Sequence, residues 1–527
     1  MTTTMRRLKD PRVLKLWVTF ATAKVLGVGA VLLTMKGVGL FMATPAGAAT
    51  LQEIPGVGSL TQTINATNTI WVLVTAFLVF FMQAGFMALE TGFARSRETV
   101  NIMMECIFDT ALCGLLYWAV GFAFQFGGAH TGGYTPWIGQ QYFFLQGTPA
   151  TGTYDYSGTF DTHVAFLAFF LFQFAFADTA STITSGAMIG RTSFKGDILY
   201  SMCVSGLIYP IFAHWVWGPG GWLANGMGVF RSIVPDGYVF RDFAGSTVVH
   251  TVGGFIALAG ALVLGPRLGR KFKKDGGGPT APHDINIAAI GTVILWFGWY
   301  GFNPGSTLSG MDWQGIGRVA ANTTLAACAG GMVAVMFVYP RSKKWDVGMA
   351  INGFLGGLVA ITAPCYWVSP TYAIVIGAVA GIIVPLAVDL MESIKVDDPI
   401  GAVAVHGFAG VWGTLSIGLF ANGFGVEGLT GGGGTDQLVA QAIGSGTCIV
   451  VVSIASIVIF KIIRSLPGSW NLRLEQELEL EGIDIVEHGT PAYHMEFGQG
   501  MTYVTAAGLP GGSSIPSTST PVGADKS

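Results

Sequence analysis

From residue 69 to residue 464 the chain alternates long apolar runs with short polar loops. A helix needs roughly 20 residues to cross a hydrocarbon layer about 30 Å thick. On that measure eleven runs are predicted as membrane-crossing helices. They cover 69–91, 102–127, 161–190, 197–223, 244–265, 284–306, 316–340, 347–366, 371–394, 401–422 and 437–464. The fold class this implies is an all-α polytopic membrane protein. Before these runs lies a basic stretch, an apolar core and the small-residue site Ala46-Gly47-Ala48, the pattern of a secretory signal peptide over 1–48. Lys24 and Lys36 interrupt and bound that core, so a retained extra N-terminal helix is the other reading.

Composition agrees with the pattern. Hydrophobic residues make up 51% and charged residues 11%, with a mean hydropathy of +0.57, whereas a soluble chain carries roughly 25% charged residues. The net charge of -3 gives no basic bias toward nucleic acid. The 76 glycines suit closely packed membrane helices. Six cysteines are scattered through the apolar runs without CxxC spacing and read as small buried hydrophobes.

Loop charge sets an orientation. Arg95 and Arg97, Arg191 and Lys195, the cluster Arg267 to Lys274, Arg341 to Lys344, and Lys395 fall in alternate loops, and Arg464 and Arg473 lie in the tail. The intervening loops are poorer in Lys and Arg. The positive-inside rule then puts the C-terminus in the cytoplasm and, for eleven spans, the mature N-terminus outside.

Two stretches stand out: Asp242 to His250 (DFAGSTVVH) and Asp398 to His406 (DPIGAVAVH). Each has Asp first, Gly fourth and His ninth, at the start of an apolar run. The runs are the fifth and the tenth, an odd number of crossings apart, so they traverse the membrane in opposite senses. That is the signature of a five-plus-five inverted repeat. Eight residues of helix advance roughly 12 Å, which carries both histidines toward the midplane from opposite sides. Intramembrane ionisable groups lean toward function, and two at matching positions of a repeat point to one shared site. Two imidazoles in contact can share a proton, one nitrogen donating and the other accepting. Metal binding is the rival use, and no third ligand at suitable spacing is visible.

At these residues the chain resembles the ammonium transporter (Amt/Rh) family, on its Amt side. The resemblance runs from about Ile70 to Phe497 and is carried by RSRETVNIMM, FQFAFADTASTITSGAMIGR, YPIFAHWVWGPGGW, DFAGSTVVHTVGG, GWYGFNPGS, VDDPIGAVAVHGFAGVWG and ELEGIDIVEHGTPAY. It implies the eleven-helix inverted-repeat fold over 69–464, a homotrimer in the cell membrane with one pore per subunit, and a transporter rather than an enzyme. It implies that His250 and His406 are the family's twin pore histidines. Phe176 and Phe302 match its stacked gate, and Trp217, Ser306, Phe176 and Phe172 its outer site for ammonium or methylammonium. Asp242 matches the family's aspartate near that site; read by themselves, Asp242 and its inner counterpart Asp398 are helix-capping acids, with stabilisation of the cation and support of deprotonation as the other use. The tail over 465–500 is the family's regulatory region, where a P-II-type signalling protein can block the pore from inside. Residues 501–527 are Gly/Ser/Pro/Thr-rich and read as disordered. No cofactor or metal is implied.

Taken alone, these residues have plainer readings. Trp217 could belong to an interfacial aromatic belt, and most of the 36 phenylalanines must be packing residues. His214 reads as a packed, hydrogen-bonded residue. Asp178 departs from the family's neutral residue and reads as a structural acid facing a neighbouring helix. Pro304 stands where a small residue is usual, close to Ser306. Glu90, Glu105 and Asp109 read as paired structural acids. Two rival functions are an Amt-like ammonium sensor, which would carry an appended signalling domain, and a passive Rh-like gas channel.

Overall fold

The computed structural model describes residues 60–128, 134–148, 153–154 and 163–493. The expected signal segment 1–48 and the expected disordered tail 501–527 fall outside the described residues. Each of the eleven apolar runs holds a helix: α1 Leu60–Phe93, then α2 Thr99–Phe126, α3 Phe166–Ser185, α4 Phe194–Trp217, α5 Ser246–Leu264, α6 Ile285–Gly305, α7 Trp313–Ser342, α8 Val347–Thr362, α9 Pro370–Ser393, α10 Val403–Phe420 and α11 Asp436–Arg464. Among the described residues ten of these are long and apolar enough to cross a membrane, and α8, at 16 residues, is shorter. Helix is the form required here, because a backbone in hydrocarbon must satisfy its own N–H and C=O groups. Polar residues mark the starts. Ser193 caps α4, Asp284 caps α6, Asp312 caps α7 and Asp346 caps α8, each accepting from backbone N–H groups of the first turn. Two antiparallel hairpins of two-residue strands occupy the loops before α3 and after α10. They pair β1 Thr153–Tyr154 with β2 Val164–Ala165, and β3 Asn422–Gly423 with β4 Val426–Glu427.

Packing repeats as the inverted repeat requires. α1 lies along α6, α3 packs on α5 as α8 packs on α10, and α11 closes against α5 and α10. One close approach of the halves falls beside the histidines. A Cβ on Gly254, one turn after His250, would collide with the backbone of Gly407, which follows His406. Only a hydrogen in place of a side chain lets α5 and α10 meet there. Gly254→Val is expected to lower thermal stability by about 1–3 kcal/mol through overpacking, read as a fall in the melting temperature of the detergent-solubilised protein. An unchanged melting point would mean the helices have room to spare.

A rise of roughly 12 Å from Asp to His supposes an unbroken α-helix. The steps from Asp to His are not one continuous α-helix. Gly245 and Gly401 have φ of 114° and 83°, in the left-handed region that favours glycine. That is why the fourth position is Gly in both stretches. The histidines then sit in π-helical turns, Ser246–Thr251 and Val403–Phe408, which are common at functional sites. The six cysteines are not all small buried hydrophobes. Cys106, Cys113, Cys365 and Cys448 are buried, but Cys203 is half-buried and Cys328 is exposed on α7. Exposure of a small apolar group is inexpensive on a helix that faces lipid.

The C-terminal segment, with its short helix α12 Gln476–Glu481, docks on one end of the bundle, here termed the tail face. Ser193 N donates to Leu472 O at 3.0 Å and Leu474 N to Arg191 O at 3.0 Å. Asp484 Oδ1 accepts from Asn101 N at 2.9 Å. Beneath it lies a buried ionic knot. Arg267 binds Asp397 through Nε at 2.8 Å and Nη2 at 3.0 Å, Arg270 Nε reaches it at 3.2 Å, and Arg191 Nη2 donates to its carbonyl at 2.8 Å. Burial alone would raise the Asp397 carboxyl, but the Arg267 hydrogen bond and the Arg191 charge hold it well below the usual carboxylate range.

Candidate functional site

The sequence brings an aromatic file through the middle of the bundle. It begins at the face opposite the tail, in a cavity of about 120 Å³ lined by Phe172, Phe176, Trp217, Asp242 and Ser306 among others. α4 ends at Trp217, where Gly218 adopts extended backbone. The half-buried indole is fixed by Nε1 donating to Asp242 O at 2.7 Å. Ser306 sits just past the end of α6, its hydroxyl donating to Phe302 O at 2.8 Å. That donation leaves the oxygen lone pairs free to accept from a ligand. A cation here meets ring faces and an acceptor oxygen, the chemistry of cation–π recognition.

Below the cavity the floor closes. The Phe176 and Phe302 rings stack at 4.1 Å and 24°, Phe172 packs on Phe176 at 4.7 Å, and Trp217 meets Phe176 edge-on at 6.0 Å. Phe172, Phe176 and Phe302 are all buried. Next in line is His250, stacked on Phe302 at 5.4 Å and on Trp299 at 5.2 Å. Its Nδ1 faces His406 Nδ1 at 3.1 Å, so one nitrogen carries the proton and donates while the other accepts. His250 Nε2 is buried with no protein partner. Phe86 lies beyond His406, at 6.3 Å between centroids.

The two aspartates do the same work at the two ends. Asp242 accepts from the N–H groups of Gly245, Thr247 and Val248 at 2.8, 2.8 and 2.9 Å. Asp398 accepts from Ala402 and Val403 at 2.9 and 3.0 Å. Burial pushes each carboxyl up to about 6 against the pull of those N–H groups. Both carboxylates are committed to holding the turns that carry the histidines, which favours capping over direct contact with a cation.

The remaining predicted positions separate cleanly. His214 is buried and bridges Gln125 O at 2.7 Å and Thr135 O at 2.8 Å. Asp178 does not line the cavity. It faces Thr110 and Gln83 on α2 and α1, as a neighbour-facing acid should. Pro304 lies within α6 and its carbonyl accepts from Thr307 Oγ1 at 2.8 Å. Trp299 was not singled out from the sequence. It is fully buried, stacks on His250 and donates from Nε1 to Thr362 Oγ1 at 2.9 Å. The spacing 299, 302, 306 places it on the same helix face as Phe302 and Ser306, and that was the available signal. The π-turns left no signal in composition or period. Among the described residues no group of three or more His, Cys, Asp or Glu is arranged to hold a metal ion.

Comparisons with known proteins bear on this arrangement. The family model described as Ammonium Transporter Family matches residues 70–493. The chain is 41% identical over 479 residues to ammonium transporter Amt2 of Archaeoglobus fulgidus, covering 88% of this chain and 94% of that one. Among solved structures it is similar to a sensor Amt protein, with a TM-score of 0.71, 35% identity, and coverage of 81% of this chain and 99% of that one. It is also similar to Mep2 of Candida albicans, with a TM-score of 0.68, 27% identity, and coverage of 80% and 89%.

Proposed function

The chain belongs to the ammonium transporter family, a multi-pass membrane protein that transports ammonium, and from that premise we propose how its residues do so. Ammonium is recruited in the cavity between Trp217, Phe176, Phe172 and Ser306. It is deprotonated at the Phe176–Phe302 gate, and neutral ammonia passes the His250–His406 pair. The proton crosses along that pair. The observation that carries this reading is the order of groups along one line: a cation-attracting cavity, a closed aromatic stack, then two imidazoles in contact.

The physical reason for the split is cost. A desolvated ion in a dry apolar pore is expensive, and neutral ammonia is not. Deprotonation also excludes potassium, which matches ammonium in charge and nearly in size but has no proton to lose. A passive ammonia channel would share the pore and lack the proton step. Ammonium pulses on proteoliposomes fused to a solid-supported membrane distinguish them: a current is expected, and ammonia flux without current would remove the relay.

Trp217→Leu is expected to weaken apparent affinity for methylammonium about 2- to 30-fold, the equivalent of about 0.5–2 kcal/mol of cation–π contact. The Michaelis constant of radiolabelled uptake by cells lacking their own carriers reads it directly. An unchanged constant would return Trp217 to a belt role. The same uptake assay addresses the sensory reading, which draws on the likeness to a sensor Amt protein and expects no rapid flux.

The Lys and Arg bias of the loops supports the tail face as cytoplasmic, in the cell membrane. A homotrimer, and occlusion of the pore by a P-II-type protein at that face, follow from family membership as further parts of the proposal. Native mass spectrometry of the purified protein tests the trimer.

A further inference from the structure

A second buried polar system runs beside the aromatic file, between α1, α2, α3 and α4. Five carboxyls occupy it: Glu90, Glu105, Asp109, Asp178 and Asp197, each no more than 3% exposed. None makes an ion pair among the described residues. Asp197 lies beside Asp109 and Tyr200, and Asp109 beside Ser201. Glu90 accepts from Ser185 Oγ at 3.2 Å. Cys106, on α2, borders the same acids.

Unspent donors point into the cluster. Ser201 Oγ, fully buried, has no hydrogen-bond partner of normal geometry, and neither has Gln83 Nε2, which faces Asp178. Both oxygens of Asp178 and of Asp197 are likewise uncompleted. Two neighbouring buried carboxyls without a cation are costly to ionise together, and one proton shared between them is the least costly state. A metal would also neutralise them, but no three of these groups converge at ligand geometry.

The cluster has a way out at the tail face. Glu105 Oε1 accepts from Asn101 Nδ2 at 2.7 Å. Asn101 Oδ1 meets His488 Nε2 at 2.9 Å, and Asn101 N donates to Asp484. Glu98, at the same end, is already paired with Arg95. His488 is partly exposed, so a chain of hydrogen-bonding groups joins solvent to Glu105, which lies one helical turn from Asp109 on α2.

We propose that these carboxyls form a proton-binding site, centred on the Asp109–Asp197 pair and reached through Asn101 and His488, separate from the His250–His406 line. The pair takes up one proton as a shared O–H···O⁻ bond and returns it by the same path. This does not rest on the proton relay proposed above.

Infrared spectroscopy of the full chain in liposomes at neutral pH tests it. The expected result is a C=O stretching band of a protonated carboxylic acid, diminished in Asp197→Asn and in Asp109→Asn. His488→Ala is expected to slow the shift of that band in D2O several-fold. An apolar carbodiimide, which reacts with protonated buried carboxyls, is expected to label the Asp109 or Asp197 peptide of the unmodified chain, a readout that needs no variant. No band, or a band unchanged in both Asn variants, overturns the site, as does failure of the carbodiimide to label either peptide. An unslowed shift in His488→Ala overturns the route. His250→Ala is expected to leave the band intact, so failure of this site and failure of the transport mechanism are told apart.

Discussion

Replacing His250 with alanine is expected to cut the ammonium-evoked current about 100-fold or more while ammonia still permeates. Proton transfer by a positioned side chain contributes roughly 10²- to 10⁴-fold, and this histidine is placed to act in that way. It lies directly under Phe302, and its Nδ1 is 3.1 Å from His406 Nδ1. Below the Phe176–Phe302 stack the imidazoles are the groups placed both to donate and to accept. Alanine removes one of them and leaves His406 Nδ1 buried without its partner, while the space left remains apolar and open to a neutral molecule. His406→Ala is expected to behave alike, because the relay needs both rings. Currents from solid-supported membranes, with ammonia flux followed by internal pH, read the two processes separately. A full current in either variant would remove the histidine pair from the proton path. A normal size-exclusion profile shows that a silent variant is folded.

The second large effect is on stability. Asp397→Asn is expected to cost about 3–5 kcal/mol, the usual penalty for breaking a buried ion pair from one side. Asp397 is 1% exposed and Arg191 0%. Removing the charge leaves Arg191 and Arg267 without their shared carboxylate, while Arg270 keeps Glu392. The melting temperature in detergent should fall, and docking of the C-terminal segment should loosen, because Arg191 O also holds Leu474. Limited proteolysis after Leu466 would detect that loosening.

The pH dependence follows with a definite sign. The folded-state carboxyl is held below its unfolded value of 3.8. Its contribution is therefore complete above about that pH and is lost as pH falls toward the lower folded value. The unmodified protein should lose melting temperature as pH drops from about 4. Asp397→Asn should start lower and show a flatter acid limb. Parallel acid limbs in the two proteins would mean that other carboxylates govern acid unfolding.

How much was readable in advance differs from one element to the next. The apolar runs located all eleven helices to within a few residues at most ends, because membrane crossing imposes length and composition on a local stretch of chain. The ragged ends were the start of α1, predicted at 69 but found at Leu60, the end of α4, predicted at 223 but found at Trp217, and both ends of α3, predicted over 161–190 but spanning Phe166–Ser185, where Gly186 and Gly190 surround a turn that apolarity alone does not reveal. The motif pair located both histidines and, through the odd count of crossings, their meeting. Resemblance, not spacing, singled out Phe176 and Phe302 from 36 phenylalanines.

The sequence by itself determined the class, the spans and the paired Asp-Gly-His stretches, since those depend on properties carried by consecutive residues. Tertiary structure alone decided the rest. It brought His250 and His406, 156 residues apart, to 3.1 Å, slid Trp299 behind the imidazole, set the histidines in π-turns, and gathered acids from four helices into one buried cluster. These features depend on which helix faces abut, and that is fixed by close contacts such as Gly254 on Gly407, which no single helix encodes on its own.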